Sequence, residues 1–250
     1  MKYIQNIPWY KSDYLNHFFQ KKDSLHYNFY FLKDSLAEKD IKEIIRLKEN
    51  HYLKIISFLE LENDRKIDYY IYPSIKEKTL LMGDDNPGNA IWQELENNYS
   101  EKFEIHIVYG EKCKFIGEHE DVHLLSLPWG LSIYLFCEGL AQYMENSFMN
   151  KELYLISKEL LGENKLYPLQ WLCDNNNWKK VEPTIIYPQV GSFTKFLIEE
   201  HGKDKFKEVY QSTLRNHDIL DNLFEIEKIY SKNINQLEND WLRKLKTKIL

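Results

Sequence analysis

Five consecutive residues, His119-Glu120-Asp121-Val122-His123, set two imidazoles four positions apart with a carboxylate beside the first. On a helix, positions i and i+4 share one face about a turn apart, so both rings reach a single metal ion. Glu120 is one helical step away from that direction and is not a third ligand. It is placed to take a proton from water at the metal's open position. This H-E-x-x-H spacing is the pattern of a hydrolytic zinc site. The competing reading leaves the histidines on a helix surface and Glu120 as a solvated charge. The apolar Phe115, Ile116, Val122, Leu124 and Leu125 around the motif favour instead a partly buried helix whose polar face points into a cleft.

Pro128-Trp129-Gly130 stops that helix, and the next helical stretch carries Glu138-Gly139-Leu140-Ala141-Gln142-Tyr143. A helix, a short turn and a returning helix bring Glu138 back over the histidines as the third protein ligand. Two His and one Glu leave a fourth position for water, the composition of a catalytic zinc site, so one zinc ion per chain is expected. Zinc lowers the pKa of such a water from ~15.7 to about 7, which makes it a usable nucleophile. Cys137 points about 100° away from Glu138 on the same helix and is not expected to share the metal.

The elements that must carry these residues follow from periodicity. The aromatic-rich run His26 to Leu32 reads as a strand, and Asp34-Ser35 as the N-cap of a helix running to about Leu61. In that helix Ile41, Ile44, Ile45, Tyr52, Ile55, Ile56 and Leu59 recur at three- and four-residue steps. Strands are expected at Asp68 to Tyr72, at Asn89-Ala90-Ile91-Trp92 and at Glu104 to Tyr109, with turn chemistry over Gly83 to Gly88. Helices are expected at 114–127, 131–146, 152–161, 189–201, 203–213, 219–230 and 234–246, and the polar run Asn175-Asn176-Asn177 reads as a loop. A mixed N-terminal part, 1–112, followed by a helical part, 113–250, gives an α+β arrangement built as one catalytic unit.

Composition narrows the function classes. A net charge of −6 with acids and bases interspersed offers no basic stripe for a phosphate backbone, so nucleic acid is not an expected partner. Cys113, Cys137 and Cys173 are odd in number and lack a Cys-x-x-Cys spacing, so free thiols are expected in place of a disulfide framework or a thiolate zinc cage. The first sixteen residues lack the apolar run of a signal peptide, and no stretch is long enough to cross a bilayer. A cytoplasmic protein without a membrane partner is expected.

With these residues in view, the chain resembles the gluzincin metallopeptidases, specifically the thermolysin-like and peptidase-MA-like catalytic domains. The resemblance rests on HEDVH at 119–123, EGLAQY at 138–143, YPQVGSF at 187–193 and INQLENDWLRKL at 234–245. It implies a zincin-like fold with a mixed α/β N-terminal subdomain, a helical C-terminal one and the active site between them. The implied substrate is a peptide or protein, hydrolysed by a metal-activated water with Glu120 as general base.

Asn89-Ala90-Ile91-Trp92 is similar to the edge strand of thermolysin-like enzymes, which pairs antiparallel with extended substrate; Ala90 would then supply backbone contacts and Asn89 a side-chain amide. The alternative is a plain core strand with a bulky Trp92. Thermolysin-like sequences carry an Asp four residues beyond the ligand Glu, where this chain has Gln142, whose amide oxygen is the expected acceptor for a ligand imidazole. Tyr187 is the expected oxyanion donor, by similarity to gluzincin aminopeptidases; the alternative is a packing residue at a helix start. The rival to an enzyme is a zinc- or peptide-binding module of the same fold with little turnover. The physiological substrate, endo- or exopeptidase action and oligomeric state stay open.

Overall fold

The structure is a computed structural model that describes residues 19–95, 98–114 and 116–247. The N-terminal segment read for a signal peptide and Phe115 lie outside the described residues. The chain divides into two compact units, one ending at Leu125 and the other beginning at Ser126. The first is mixed α/β and the second almost wholly helical, in keeping with the α+β class.

The first unit is built on a six-stranded sheet in the order β1-β2-β3-β5-β4, with β6 added to β5. Its strands are β1 (Gln20–Asp23), β2 (Tyr27–Phe31), β3 (Ile67–Tyr72), β4 (Gly88–Leu95), β5 (Asn98–Gly110) and β6 (Cys113–Lys114). Helix α1 (Leu36–Leu59) crosses over between the parallel strands β2 and β3. Ser35 caps it as expected, its Oγ accepting from Glu38 N at 3.2 Å. The anticipated stripe is buried at Ile41, Ile44, Tyr52, Ile55 and Leu59, while Ile45 and Ile56 are half-buried. Lys48 completes the stripe and is fully buried.

Alternation along the strands splits the sheet into two faces. Tyr27, Phe29, Phe31, Ile67, Tyr69, Ile71, Ile105 and Ile107 form one buried set. The other carries a second core cluster of Phe19, Tyr30, Tyr70, Tyr72, Met82 and Ile91. Met82 belongs to α2 (Ile75–Met82), a short helix the sequence reading did not anticipate. On this second face the buried His106 ring stacks on Tyr70 at 4.7 Å. Burial depresses its pKa, and the ring sits between Tyr72 Oη at 2.9 Å and Glu104 at 3.2 Å.

Helix α3 (Glu118–Leu125), which carries the H-E-x-x-H residues, starts four residues later than expected from the 114–127 reading. Cys113 and Lys114 pair with Gly110 and Tyr109 as β6. Gly117 then turns the chain at φ +73°, where a Cβ would meet Ile107 Cγ2 at 2.5 Å. The helix packs on α1, β4 and β5, which is why the first unit extends to Leu125 and does not stop at the anticipated 112/113 boundary.

The second unit opens with a 3₁₀ turn, Leu127–Trp129, followed by α4 (Tyr134–Glu145) and a small hairpin of β7 (Ser147–Phe148) and β8 (Lys151–Glu152). Then come α5 (Leu153–Gly162), α6 (Leu169–Leu172), α7 (Pro183–His201), α8 (Lys203–Ser212), α9 (Ile219–Tyr230) and α10 (Ile234–Thr247). Helix α7 begins at Pro183, well before the expected Gln189. Pro183 is pre-set for the first helical turn, and Pro188 forfeits only a bond to the carbonyl of Thr184. Asn175–Lys180 forms a 3₁₀ helix in place of the expected loop, with Asp174 Oδ1 accepting from Asn176 N at 2.9 Å. Trp241 of α10 is buried and donates to Ser192 Oγ of α7 at 3.0 Å. Among the described residues no helix is long and apolar enough to cross a membrane.

Candidate metal centre

His119 and His123 lie one turn apart on α3, both buried, with ring centroids 4.8 Å apart. Glu138, in the middle of α4, is fully buried. The ligand atoms of these three side chains all lie within 4.8 Å of one another. Bonds of ~2.1 Å in tetrahedral geometry hold donors roughly 3.4 Å apart, the same order as the spacing of this set. Two imidazole nitrogens and one carboxylate oxygen therefore form a group that can hold a metal ion.

Each ligand is held by its own local architecture. At the start of α3, Glu120 N and Asp121 N both bond to Gly117 O, at 3.0 and 3.4 Å. Glu118 pairs with His51 of α1 at 2.7 Å. Burial alone would raise the Glu118 pKa, but the hydrogen bond and charge of His51 bring it below the ordinary value. Pro128 ends the segment after α3, and Gly130 at φ +99° turns it.

Helix α4 begins where Tyr134 N donates to Asn175 Oδ1 at 3.0 Å, so a side chain 41 positions away caps the helix that carries Glu138. Residues 131 and 132, expected to be helical, are instead tied to Arg215 through Arg215 N to Leu131 O at 3.3 Å and Arg215 Nε to Ser132 O at 2.9 Å. Gly139 lets α4 approach α7: a Cβ there would lie 2.2 Å from Thr194 Oγ1.

The other anticipated residues lie on α3, α4, α7 and β4. Glu120 is half-buried on α3 beside its ligand neighbour. Gln142 is buried one turn beyond Glu138, but its amide donates to Ser147 O at 2.6 Å and to Glu145 at 3.1 Å, so its hydrogen bonds are local ties at the end of α4. Tyr187 is half-buried in the second turn of α7, stacked on Phe148 with centroids 6.2 Å apart, and not at a helix start.

Asn89 and Ala90 lie on β4, which ends the strand order with β5 on one side. Among the described residues β4 pairs with no other strand. The Asn89 side chain is committed within the unit: its oxygen accepts from the buried Lys78, and its nitrogen donates to Asp84 at 2.9 Å. Cys137 and Cys173 are buried free thiols and Cys113 is partly exposed.

Sequence reasoning missed what lies beneath α3. Asp121, between the two histidines in the motif, is fully buried and ion-paired with Lys48, while Tyr27 Oη donates to its other oxygen at 3.2 Å. Burial pushes the Asp121 carboxyl up to about 6 and the Lys48 amine down, each offset by the other's charge. Lys48 also sits 4.5 Å from the centroid of the Tyr69 ring. The signal was present in sequence: position 48 falls four residues after Ile44 and four before Tyr52, in phase with the apolar stripe.

No protein-family model matches the chain, and a search of curated proteins finds no significant relative.

Proposed function

We propose that this chain is a zinc-dependent peptidase of the gluzincin type with a zincin-like catalytic fold. The observation that carries the reading is the buried group His119, His123 and Glu138, three donors converging from two helices. Two imidazoles and a carboxylate are the ligand set of an open, catalytic zinc site. A zinc ion held there supplies Lewis acidity that activates water and polarises a carbonyl.

The chain's own residues do the remaining work. Glu120, half-buried on the ligand helix, takes the proton from the attacking water and later delivers it to the leaving amine. The side of β4 away from β5, which pairs with no other described strand, would offer backbone groups to an extended peptide around Ala90. With its amide held by Lys78 and Asp84, Asn89 serves to fix that strand more than to touch substrate. Tyr187 is the proposed phenol donor to the oxyanion.

A second reading, a zinc- or peptide-binding module with little turnover, draws on one observation. Gln142 stands where a carboxylate would support a ligand imidazole, and its amide is engaged locally. Glu120→Gln separates the two. In a peptidase the variant keeps its zinc and fold while hydrolysis of a peptide substrate falls by about 10²–10⁴-fold. An unchanged rate contradicts the mechanism. Wild-type protein with stoichiometric zinc that binds peptides and cleaves none across long and short, free and blocked substrates supports the module.

A further inference from the structure

Helix α3 is short, eight residues, and two of its acidic side chains are paired with α1: Glu118 with the partly exposed His51, and Asp121 with Lys48. The Asp121 carboxylate is fully buried, and so is its partner, the Lys48 ammonium from the middle of α1. Lys48 Nζ also lies 3.4 and 3.5 Å from the carbonyl oxygens of Ile116 and Gly117, the residues that lead into α3. Tyr27 from β2 holds the second Asp121 oxygen, and the Tyr27 and Tyr69 rings flank the ammonium at 5.4 and 4.5 Å. The helix is thus gripped at its start and its centre by the fully buried Lys48 contacts, with the more exposed Glu118–His51 pair beside them. Apolar packing alone would leave it free to roll by small angles.

We propose that Lys48 is a positioning residue for the metal centre, acting through Asp121 to fix the rotation of α3 about its own axis and so the direction of both histidines. This rests on the reading of His119, His123 and Glu138 as metal ligands. The lever is long: side-chain tips lie about 5–6 Å from a helix axis, so a roll of roughly 20° carries an imidazole nitrogen about 2 Å. That is the length of a zinc–nitrogen bond. Asp121 lies two positions from each histidine, roughly 200° around the helix, so the contact that sets the rotation is on the side opposite the ligands.

The test is zinc affinity, measured by competition with a chromophoric chelator, alongside urea unfolding of the metal-free protein, for wild type, Lys48→Met and Lys48→Met/Asp121→Leu. Lys48→Met removes a positive charge from the neighbourhood of a dication, so a purely electrostatic role predicts tighter zinc binding. Positioning predicts weaker binding, by about 10–100-fold, the range typical of residues that orient metal ligands. Lys48→Met/Asp121→Leu leaves net charge unchanged and replaces the pair with packed apolar groups, which restores stability to near the wild-type value. Its zinc affinity stays down by a similar factor, because the direction of the contact is lost. If Lys48→Met does not fold, the double variant alone decides. Zinc affinity at or above the wild-type value in the folded variants overturns the proposal. His119→Ala in the same assay keeps the two readings apart: if it too binds zinc like wild type, the metal site itself is wrong.

Discussion

Gly139 follows Glu138 on α4, and its lack of a side chain lets α4 approach α7. Gly139→Ala places a methyl 2.2 Å from Thr194 Oγ1 and 3.1 Å from Val190 O. The first contact is relieved by a turn of the threonine side chain; the second is to helical backbone and is relieved only if α4 moves. Alanine gains ~0.8–1 kcal/mol over glycine in a helix interior. Overpacking a well-filled contact costs about 1–3 kcal/mol. The net expectation is a loss of up to about 2 kcal/mol, read as a lower urea midpoint with unchanged slope in the presence of chelator, so that metal linkage does not enter. Thr194→Ala in the same chain opens the nearer contact, and the double-mutant cycle should show a favourable coupling of at least ~0.5 kcal/mol. If Gly139→Ala is stabilised by the full ~0.8–1 kcal/mol of alanine's helix propensity, or the cycle shows no coupling, the close approach of α4 and α7 is not what requires glycine here.

Asn89→Ala strips a partner from both Lys78 and Asp84, and should cost about 1–3 kcal/mol in denaturant unfolding; a neutral result would mean these groups re-pair without it. Tyr187→Phe should leave zinc content intact and lower peptide turnover by about 10²–10³-fold; full turnover in the variant removes the phenol from the mechanism. Burial acts to raise the pKa of Glu199, but Lys244 at 2.8 Å and Tyr154 hold it below 4.5. A depressed carboxylate stabilises above its unfolded pKa and loses that contribution as pH falls through its folded value. Wild type should therefore exceed Glu199→Gln in stability at neutral pH by no more than ~1 kcal/mol, given solvent exposure, with the difference shrinking as pH falls below the ordinary carboxylate range. A gap that widens on acidification would refute the assignment.

What the sequence made legible was local. His119 and His123 share a face because helical periodicity acts over four residues, and the α1 stripe and the β2, β3 and β5 strands follow from the same short-range rules. Glu138 was accessible because Pro128 and Gly130 mark where the chain turns. What was hidden depends on partners distant in sequence. Lys48 reads as a surface lysine until Asp121, 73 positions away, compensates its charge. Asn175 reads as loop until it caps α4.

Other misses were local signals outweighed by stronger ones. Ser74 and Glu77 have capping-box spacing, yet α2 is too short for its periodicity to stand out. Gly117 has the residue type for a left-handed turn, but the apolar run around it favoured extending α3 backwards. Asn89 was anticipated to face substrate, whereas Lys78 and Asp84 claim its side chain.

The central claim is that His119, His123 and Glu138 together hold one metal ion. Equilibrium zinc titration of the purified protein, compared with His119→Ala, His123→Ala and Glu138→Ala, tests it most directly. The account predicts about one tightly bound zinc per wild-type chain, loss of stoichiometric zinc in both histidine variants and strongly weakened binding in Glu138→Ala, with the fold retained by circular dichroism. Wild-type protein that takes up no zinc, or histidine variants that retain the full complement, would contradict it.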